Sequence, residues 1–131
     1  MANPTITNEI RKEILVKDPV FTDDTFVAAG AIEIAKGTLL GRVTASKKLA
    51  QYDSGAADGT EVPIGVITYD LSIAGAGDTA IRALRGGVVA ENTLLEHGVG
   101  AVTDKAVLDQ LIDKSGIVPV AATDLGVLDN Q

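Results

Sequence analysis

Short apolar runs recur along the chain from Thr25 onward, separated by turn-forming residues at intervals of roughly eight to twelve positions. This spacing is typical of antiparallel sheets and small barrels, in which strands are brief and connections are tight. We therefore predict a mainly β fold. The predicted strands cover residues 31–34, 39–44, 49–52, 62–69, 79–84 and 87–90.

Two runs also indicate where a strand lies within a sheet. Alternation within the fifth run places Arg82 on the same face as Ala80 and Leu84. Residues 117–120 are apolar enough for a last strand, but Pro119 has no N–H to donate to a neighbouring strand. We therefore expect this last strand at the edge of a sheet.

One helix is predicted near residues 104–115. Thr103 can cap its N-terminus, Asp104 is favourable beside the positive end of the helix dipole, and Gly116 can end it. The overall prediction is an α+β, mainly β domain at residues 25–131 with a compact, barrel-like shape. Four apolar residues at helical spacing form one stripe of the helix: Val107, Leu108, Leu111 and Ile112.

Residues 1–24 are predicted to form an N-terminal arm ahead of this domain. Two conformations remain open for the arm. Ile6, Ile10 and Ile14 recur at every fourth residue, which suits a short helix, whereas residues 13–16 equally suit a strand. Three dipeptides that regular structure avoids interrupt the arm: Asn3-Pro4, Asp18-Pro19 and Asp23-Asp24.

The composition predicts a modest aliphatic core in a single domain. Of 131 residues, 46% are hydrophobic, yet only two are Phe, two are Tyr and none is Trp. Cysteine is absent, which excludes disulfides, thiolate metal sites and cysteine nucleophiles. Neither a signal-peptide pattern nor a run of about 18 apolar residues is visible, so we expect a soluble protein with no membrane partner.

The net charge of -7 is concentrated toward the C-terminus. Before Gly86 the chain carries nine Lys and Arg against eleven Asp and Glu, and from Gly86 onward the numbers are two and seven. A surface that binds nucleic acid needs clustered Lys and Arg to neutralise phosphates. We therefore expect no direct nucleic-acid partner.

The segment YDSGAADGT at residues 52–60 raises the question of a metal site, because it contains Asp53 and Asp58. An EF-hand calcium loop requires oxygen ligands at alternating positions and a Glu at its end, whereas Gly55 and Ala56 lie between these two carboxylates. Gly and Asp also suit tight turns, since Gly accepts positive φ and Asp bonds nearby backbone. We therefore predict turns here, and no metal or other cofactor.

Catalytic and nucleotide-binding motifs are weak in this sequence. The single histidine, His97, lies in a predicted loop, and no Ser occupies a G-x-S-x-G elbow, so a hydrolase is a weak third possibility. The glycines of residues 75–77 lead through Asp78 into a strand, which indicates a hairpin connection instead of a dinucleotide site. We expect a protein that is not an enzyme.

Five segments follow one another between residues 36 and 91: GTLLGRVT, YDSGAADGT, VPIGVITYD, AGAGDT and RGGVV. Their order and spacing resemble the head decoration proteins of lambda-like tailed bacteriophages. With the predicted helix and the strand after Gly116, the resemblance covers about residues 25–120. The chain departs from the family at residues 95–98, where an aromatic residue followed by proline is usual, and in its tail after Val120.

The resemblance implies a β-tulip-like subunit that trimerises on the outer surface of the expanded head, at threefold and quasi-threefold positions. There it stabilises the shell against the pressure of packaged DNA. The implied partners are the major capsid protein and other copies of the chain, and the implied location is the virion, after assembly in the host cytoplasm. In such proteins the arm becomes ordered on the shell. The residues expected to bind the capsid are Thr5, Ile6, Ile10, Ile14, Leu15 and Val16.

A lipoyl-type or biotinyl-type carrier, or another small-molecule-binding β module, is the alternative, since carrier domains also alternate short strands with hairpins. A carrier requires an exposed lysine at a tight hairpin tip, normally beside Asp or Met. Lys47 and Lys48 are the only tip lysines, and their neighbours are Ser46 and Leu49. The sequence thus favours the decoration protein over the carrier.

Overall fold

Ten β-strands and one α-helix make up the part of the chain that the computed structural model describes, residues 15–120, with side chains from residue 17 onward. The helix, α1, is Lys105–Ser115, and Glu91–Thr93 form a single turn of 3-10 helix. The strands are β1 (Leu15–Ala28), β2 (Ile32–Ile34), β3 (Leu39–Arg42), β4 (Leu49–Gln51), β5 (Gly65–Val66), β6 (Leu71–Ile73), β7 (Gly77–Ala90), β8 (Leu95–Glu96), β9 (Gly100–Ala101) and β10 (Ile117–Val120).

The main sheet closes into a five-stranded barrel, which confirms the predicted barrel-like, mainly β class. Its strand order is β1-β4-β3-β5-β7-β10, and an additional antiparallel pairing of β1 with β7 completes the barrel. This pairing runs from Leu15 opposite Val89 to Ala28 opposite Gly77. Strand β10 lies outside the barrel and runs parallel to the end of β7. It has no second neighbour in the described sheet, so the edge position predicted for residues 117–120 is confirmed.

Strand β7 corrects the prediction of two strands at residues 79–84 and 87–90. The chain continues through Gly86 and Gly87 without turning, and the irregularity takes the form of a bulge. Gly87 has a φ of 111°, and the register of β1 shifts on the opposite side, around Asp18. The extra residue of β7 is Arg85, which lies between Leu84, opposite Phe21, and Gly86, opposite Val20. The glycine pair therefore adjoins a bulge within one long strand, since Gly serves bulges and turns for the same conformational reason.

Other strand assignments also differ from the sequence prediction. Four strands are not among the predicted ones: β1, β6, β8 and β9. The predicted loop around His97 is the turn of the β8–β9 hairpin. In the run predicted at residues 62–69, only Gly65–Val66 is regular strand. Hydrogen bonds from Ile64 N to Leu40 O (2.8 Å) and from Ile67 N to Thr38 O (3.0 Å) nevertheless attach its flanks to the segment that contains β3.

Two hydrophobic cores lie on opposite faces of this sheet. Neighbouring residues in a strand point to opposite faces, so adjacent apolar pairs such as Leu39-Leu40 and Ala83-Leu84 divide between the cores. The barrel core consists of Phe26, Ala28, Ile34, Leu40, Leu49, Ile67, Ile73, Ile81 and Ala83. The helix-side core consists of Leu39, Tyr52, Val66, Leu84, Val89, Leu94, Leu108, Leu111 and Ile117.

The bulge in β7 explains how one strand contributes to the helix-side core at two points. Leu84 and Val89 are five positions apart, so unbroken alternation would place them on opposite faces. Both are fully buried in the helix-side core because the bulge at Arg85 adds one residue to the strand between them. Arg82 shares the face of Leu84 by alternation but is exposed, so only part of this face is buried.

Helix α1 covers the helix-side core with Leu108 and Leu111. Its N-cap is Asp104, whose carboxylate accepts a hydrogen bond from Ala106 N at 2.9 Å, so the predicted cap at Thr103 is wrong by one residue. Asp104 reaches the second amide of the helix, as a capping carboxylate does. Gly116 ends the helix as predicted, with a φ of 86° and its N–H bonded to Ile112 O.

We expect Leu111→Ala to lower the free energy of unfolding by about 2–5 kcal/mol, because it removes a fully buried side chain from the helix-side core. Ile112→Ala is the matched control on the same helix, since its side chain is 40% exposed. Urea denaturation followed by circular dichroism measures both. Equal losses in the two variants would contradict the assigned role of α1.

We expect Gly87→Ala to destabilise the fold by about 1–3 kcal/mol, because it strains a positive φ. Its Cβ would also lie 2.8 Å from Asp18 O and 2.9 Å from Lys17 O. Gly75→Ala is the control, since no atom lies within 4 Å of the Cβ position there. If the denaturation midpoint of Gly87→Ala equalled that of Gly75→Ala, the close approach of Gly87 to β1 would not constrain the fold.

Candidate functional site

The predicted capsid-binding arm joins the barrel at one end of the β1–β7 pairing. Leu15 and Val16 open β1, where Leu15 is opposite Val89 and Lys17 is opposite Val88. Residues 15–24 of the predicted arm thus form the first part of β1. The remaining predicted capsid-binding residues lie outside the described part of the chain: Thr5, Ile6, Ile10 and Ile14.

The described sheet has two open edges around the last residues of β7. On its side away from β7, β1 pairs only with β4, at Phe26 opposite Leu49. Strand β10 pairs with β7 alone. The side chains here include two exposed apolar residues, Val20 at 55% and Val118 at 40%. Open edges of this kind present backbone N–H and C=O groups that an added strand can bond.

Three charged side chains lie at one end of the barrel interior, here called the barrel mouth: Asp24, Arg42 and Arg85. Each lies two positions from a barrel-core residue, so alternation turns it toward the same inner face. The corresponding core residues are Phe26, Leu40 and Ala83. The barrel mouth is therefore a charged layer next to the apolar barrel core.

Asp24 and Arg42 form an ion pair across the mouth. Arg42 donates from Nη1 to Asp24 Oδ1 at 3.3 Å and from Nη2 to Asp24 Oδ2 at 3.4 Å, and its Nη1 also donates to Lys47 O at 2.7 Å. Thr22 donates a further hydrogen bond to Asp24 Oδ2 at 3.4 Å. This ion pair connects β1 to β3 beside the short β1–β4 pairing, so it contributes to closing the barrel.

Arg85 is the second cation of the barrel mouth. Its Nη1 lies 4.0 Å from Asp24 Oδ2, which is an ion-pair distance but too long for a hydrogen bond. Its Nε is buried and has no hydrogen-bond partner among the described residues. Burial lowers the pKa of Arg85, and the positive charge of Arg42 lowers it further, while the charge of Asp24 opposes both.

The two carboxylates at residues 52–60 are engaged in local turns, as the sequence predicts. Asp53 Oδ1 accepts a hydrogen bond from Gly55 N at 2.9 Å. Asp58 Oδ1 accepts from Thr60 N at 3.1 Å and from Thr60 Oγ1 at 2.6 Å, and these bonds lower the pKa of Asp58. Within residues 15–120, no three His, Asp or Glu side chains gather closely enough to hold a metal ion.

The lone histidine and the two tip lysines occupy turns. His97 is exposed in the β8–β9 hairpin, which Glu96 connects to the 52–60 segment by accepting hydrogen bonds from Ser54 N and Oγ, both at 2.9 Å. Lys48 forms an ion pair with Asp78 at 2.5 Å. No helix within the described chain is long and apolar enough to cross a membrane.

These observations describe a small β-barrel domain with open strand edges close to the first described residues of β1. The family model described as bacteriophage lambda head decoration protein D matches residues 9–117. The chain belongs to this family, so its role is decoration of the phage capsid and its place is the phage head. A comparison with curated protein sequences gave no significant match.

The barrel mouth is the feature that sequence reasoning missed. Alternation singles out Arg82, which shares a face with Leu84, whereas the inward-facing arginine of β7 is Arg85. The sequence does contain a signal for this cluster: Asp24 and Arg42 each lie two positions from an apolar residue, which places them on the same strand face as that residue. Which face is internal depends on strand pairing, which the alternation alone does not give.

We expect Asp58→Asn to reduce the loss of stability on acidification. The folded pKa of Asp58 is lowered, so its contribution is present above the unfolded value and is lost as the pH falls through the folded value. Asp109→Asn, on the exposed side of α1, is the control. Thermal unfolding between about pH 2 and pH 6 tests this, around the ordinary Asp pKa near 3.9. Parallel acid profiles for wild type and Asp58→Asn would refute it.

Proposed function

We propose that this protein is a non-enzymatic cement of the phage head. It binds the outer surface of the expanded shell as trimers, at threefold and quasi-threefold positions, and stabilises the shell against the pressure of packaged DNA. Its partners are the major capsid protein and other copies of itself, and assembly takes place in the host cytoplasm. The observation that carries this proposal is the family match across residues 9–117.

The arm, residues 1–24, supplies the capsid contact in this proposal. The family match begins at residue 9, so it includes part of the arm. Leu15 is already paired with Val89, and a chain that continues outward from β1 in extended form can add to an open strand edge of the shell. Docking as a helix anchored by Ile6, Ile10 and Ile14 is the other mode open to the same residues.

Trimerisation allows tight binding to the shell even when each subunit's own contact with the shell is weak. Three arms held in one particle engage the shell together, so the second and third binding events become intramolecular. Three copies can also cover apolar side chains that a single copy exposes, of which Val20, Phe21 and Val118 are examples. Sedimentation of the free protein, and of protein released from heads, measures the stoichiometry.

We expect deletion of residues 2–14 to leave the fold intact and to weaken binding to expanded heads by at least about 100-fold, because avidity through three arms is lost. The deletion stops at residue 14, since Leu15 is the first described residue and is paired with β7. Cosedimentation with heads that lack decoration measures binding, and thermal unfolding checks the fold.

Deletion of residues 121–131 is the matched control, because it removes a terminal segment of similar length from the other end of the chain. We expect this variant to bind as the full chain does. Undiminished binding by the arm deletion would remove the arm from the mechanism. Failure of the full chain to bind any head would contradict the proposed function itself.

A further inference from the structure

The barrel mouth has more positive charge than its own residues neutralise. Arg42 and Arg85 share one carboxylate, Asp24, and Arg42 occupies both oxygens of that carboxylate. The side chains are partly buried, with exposed fractions of 32% for Arg42, 25% for Arg85 and 20% for Asp24. A cation that has lost much of its water gains more from a partner charge than an exposed one does.

Arg85 has hydrogen-bond donors to spare. A guanidinium carries five N–H groups in a fixed fork, and within residues 15–120 Arg85 donates none of them to an acceptor. Its Nε is buried, whereas its side chain retains access to solvent. The solvent-accessible N–H groups of the guanidinium can therefore donate hydrogen bonds to an acceptor on another molecule.

The stem of Arg85 passes beside Gly65 on the neighbouring strand β5. A Cβ at Gly65 would lie 3.2 Å from Arg85 Cδ, so glycine leaves the room that the arginine stem occupies. The ion pair with Asp24 holds Arg42 in place beside Arg85. Two positioned guanidinium groups favour oxyanions over other ligands, because the fork matches the two oxygens of a carboxylate.

Arg82 shows how an arginine on the same strand differs when it already has partners. Its Nε lies 3.4 Å from Asp23 Oδ1, and its guanidinium lies 6.0 Å from the centre of the Phe21 ring. Its side chain is 65% exposed. Arg82 is therefore paired and hydrated, whereas Arg85 is partly dehydrated and makes no hydrogen bond in the described part of the chain.

We propose that Arg85, supported by Arg42, forms an oxyanion-binding site at the barrel mouth, and that the oxyanion is a carboxylate of a neighbouring protein on the phage head. The site rests on the geometry of the mouth. The identification of its source rests on the proposed function. A free oxyanion from solution has the same chemistry and is distinguished by the second arm of the experiment.

The first arm measures binding to undecorated expanded heads for wild type, Arg85→Gln, Arg85→Lys and the control Arg82→Gln. Arg85→Gln should weaken binding by at least about tenfold, as expected for loss of a charge-assisted hydrogen bond. Arg85→Lys keeps the positive charge but lacks the guanidinium fork, so its affinity for heads should lie between those of wild type and Arg85→Gln. Arg82→Gln should stay within about twofold of wild type, as a rim charge does. Equal binding by Arg85→Gln and wild type would exclude a protein carboxylate as the source.

The second arm uses the free wild-type protein, so it does not depend on a variant that folds or on heads that bind. Sodium acetate replaces sodium chloride at constant ionic strength, and the Nε–Hε resonance of Arg85 is followed by NMR together with the melting temperature. A saturable shift at Arg85, without one at Arg82, supports the oxyanion site. Absence of any shift, combined with unchanged head binding by Arg85→Gln, would overturn the proposal. If wild type binds no heads while acetate shifts Arg85, the proposed function fails and the site stands.

Discussion

The antiparallel pairing of β1 with β7 is the interaction on which the rest of the structure depends. It closes the barrel, because without it the sheet would end at β1 on one side and continue from β7 to β10 on the other. It places Phe26 and Ile81 in the barrel core and, through the bulge at Arg85, returns Val89 to the helix-side core. Among the described residues, its outermost pair is Leu15 with Val89.

At the barrel mouth, side-chain interactions supplement a short stretch of backbone pairing. The described pairing of β1 with β4 consists of Phe26 opposite Leu49, and the Asp24–Arg42 ion pair bridges the gap beside it. A partly buried ion pair is strongly favourable only when its hydrogen-bonding groups are satisfied. Arg42 meets this condition and Arg85 does not, so one cluster contains both a structural ion pair and an incompletely bonded cation.

Decoration of a capsid requires surfaces and strand edges more than a cleft, and the described features agree with this requirement. The acidic residues at 52–60, which raise the question of a metal loop, serve as turn acceptors, Asp53 for Gly55 and Asp58 for Thr60. The order and spacing of the five segments between residues 36 and 91 resemble the decoration family, and the family match across residues 9–117 confirms that resemblance.

The sequence by itself determined the mainly β class, the strands at the cores of β2, β3, β4 and β10, the helix end at Gly116 and the turns at Asp53 and Asp58, because these depend on local conformational preference. Only the tertiary structure decided that residues 77–90 form one strand, that Leu84 is buried although Arg82 on the same face is exposed, and that Arg85 points to the barrel mouth. Alternation of apolar and polar residues distinguishes the two faces of a strand. It does not determine which face is internal, or whether a helix distant in sequence covers the external face. A glycine pair likewise permits a turn or a bulge, and the choice depends on the partner strand that lies opposite.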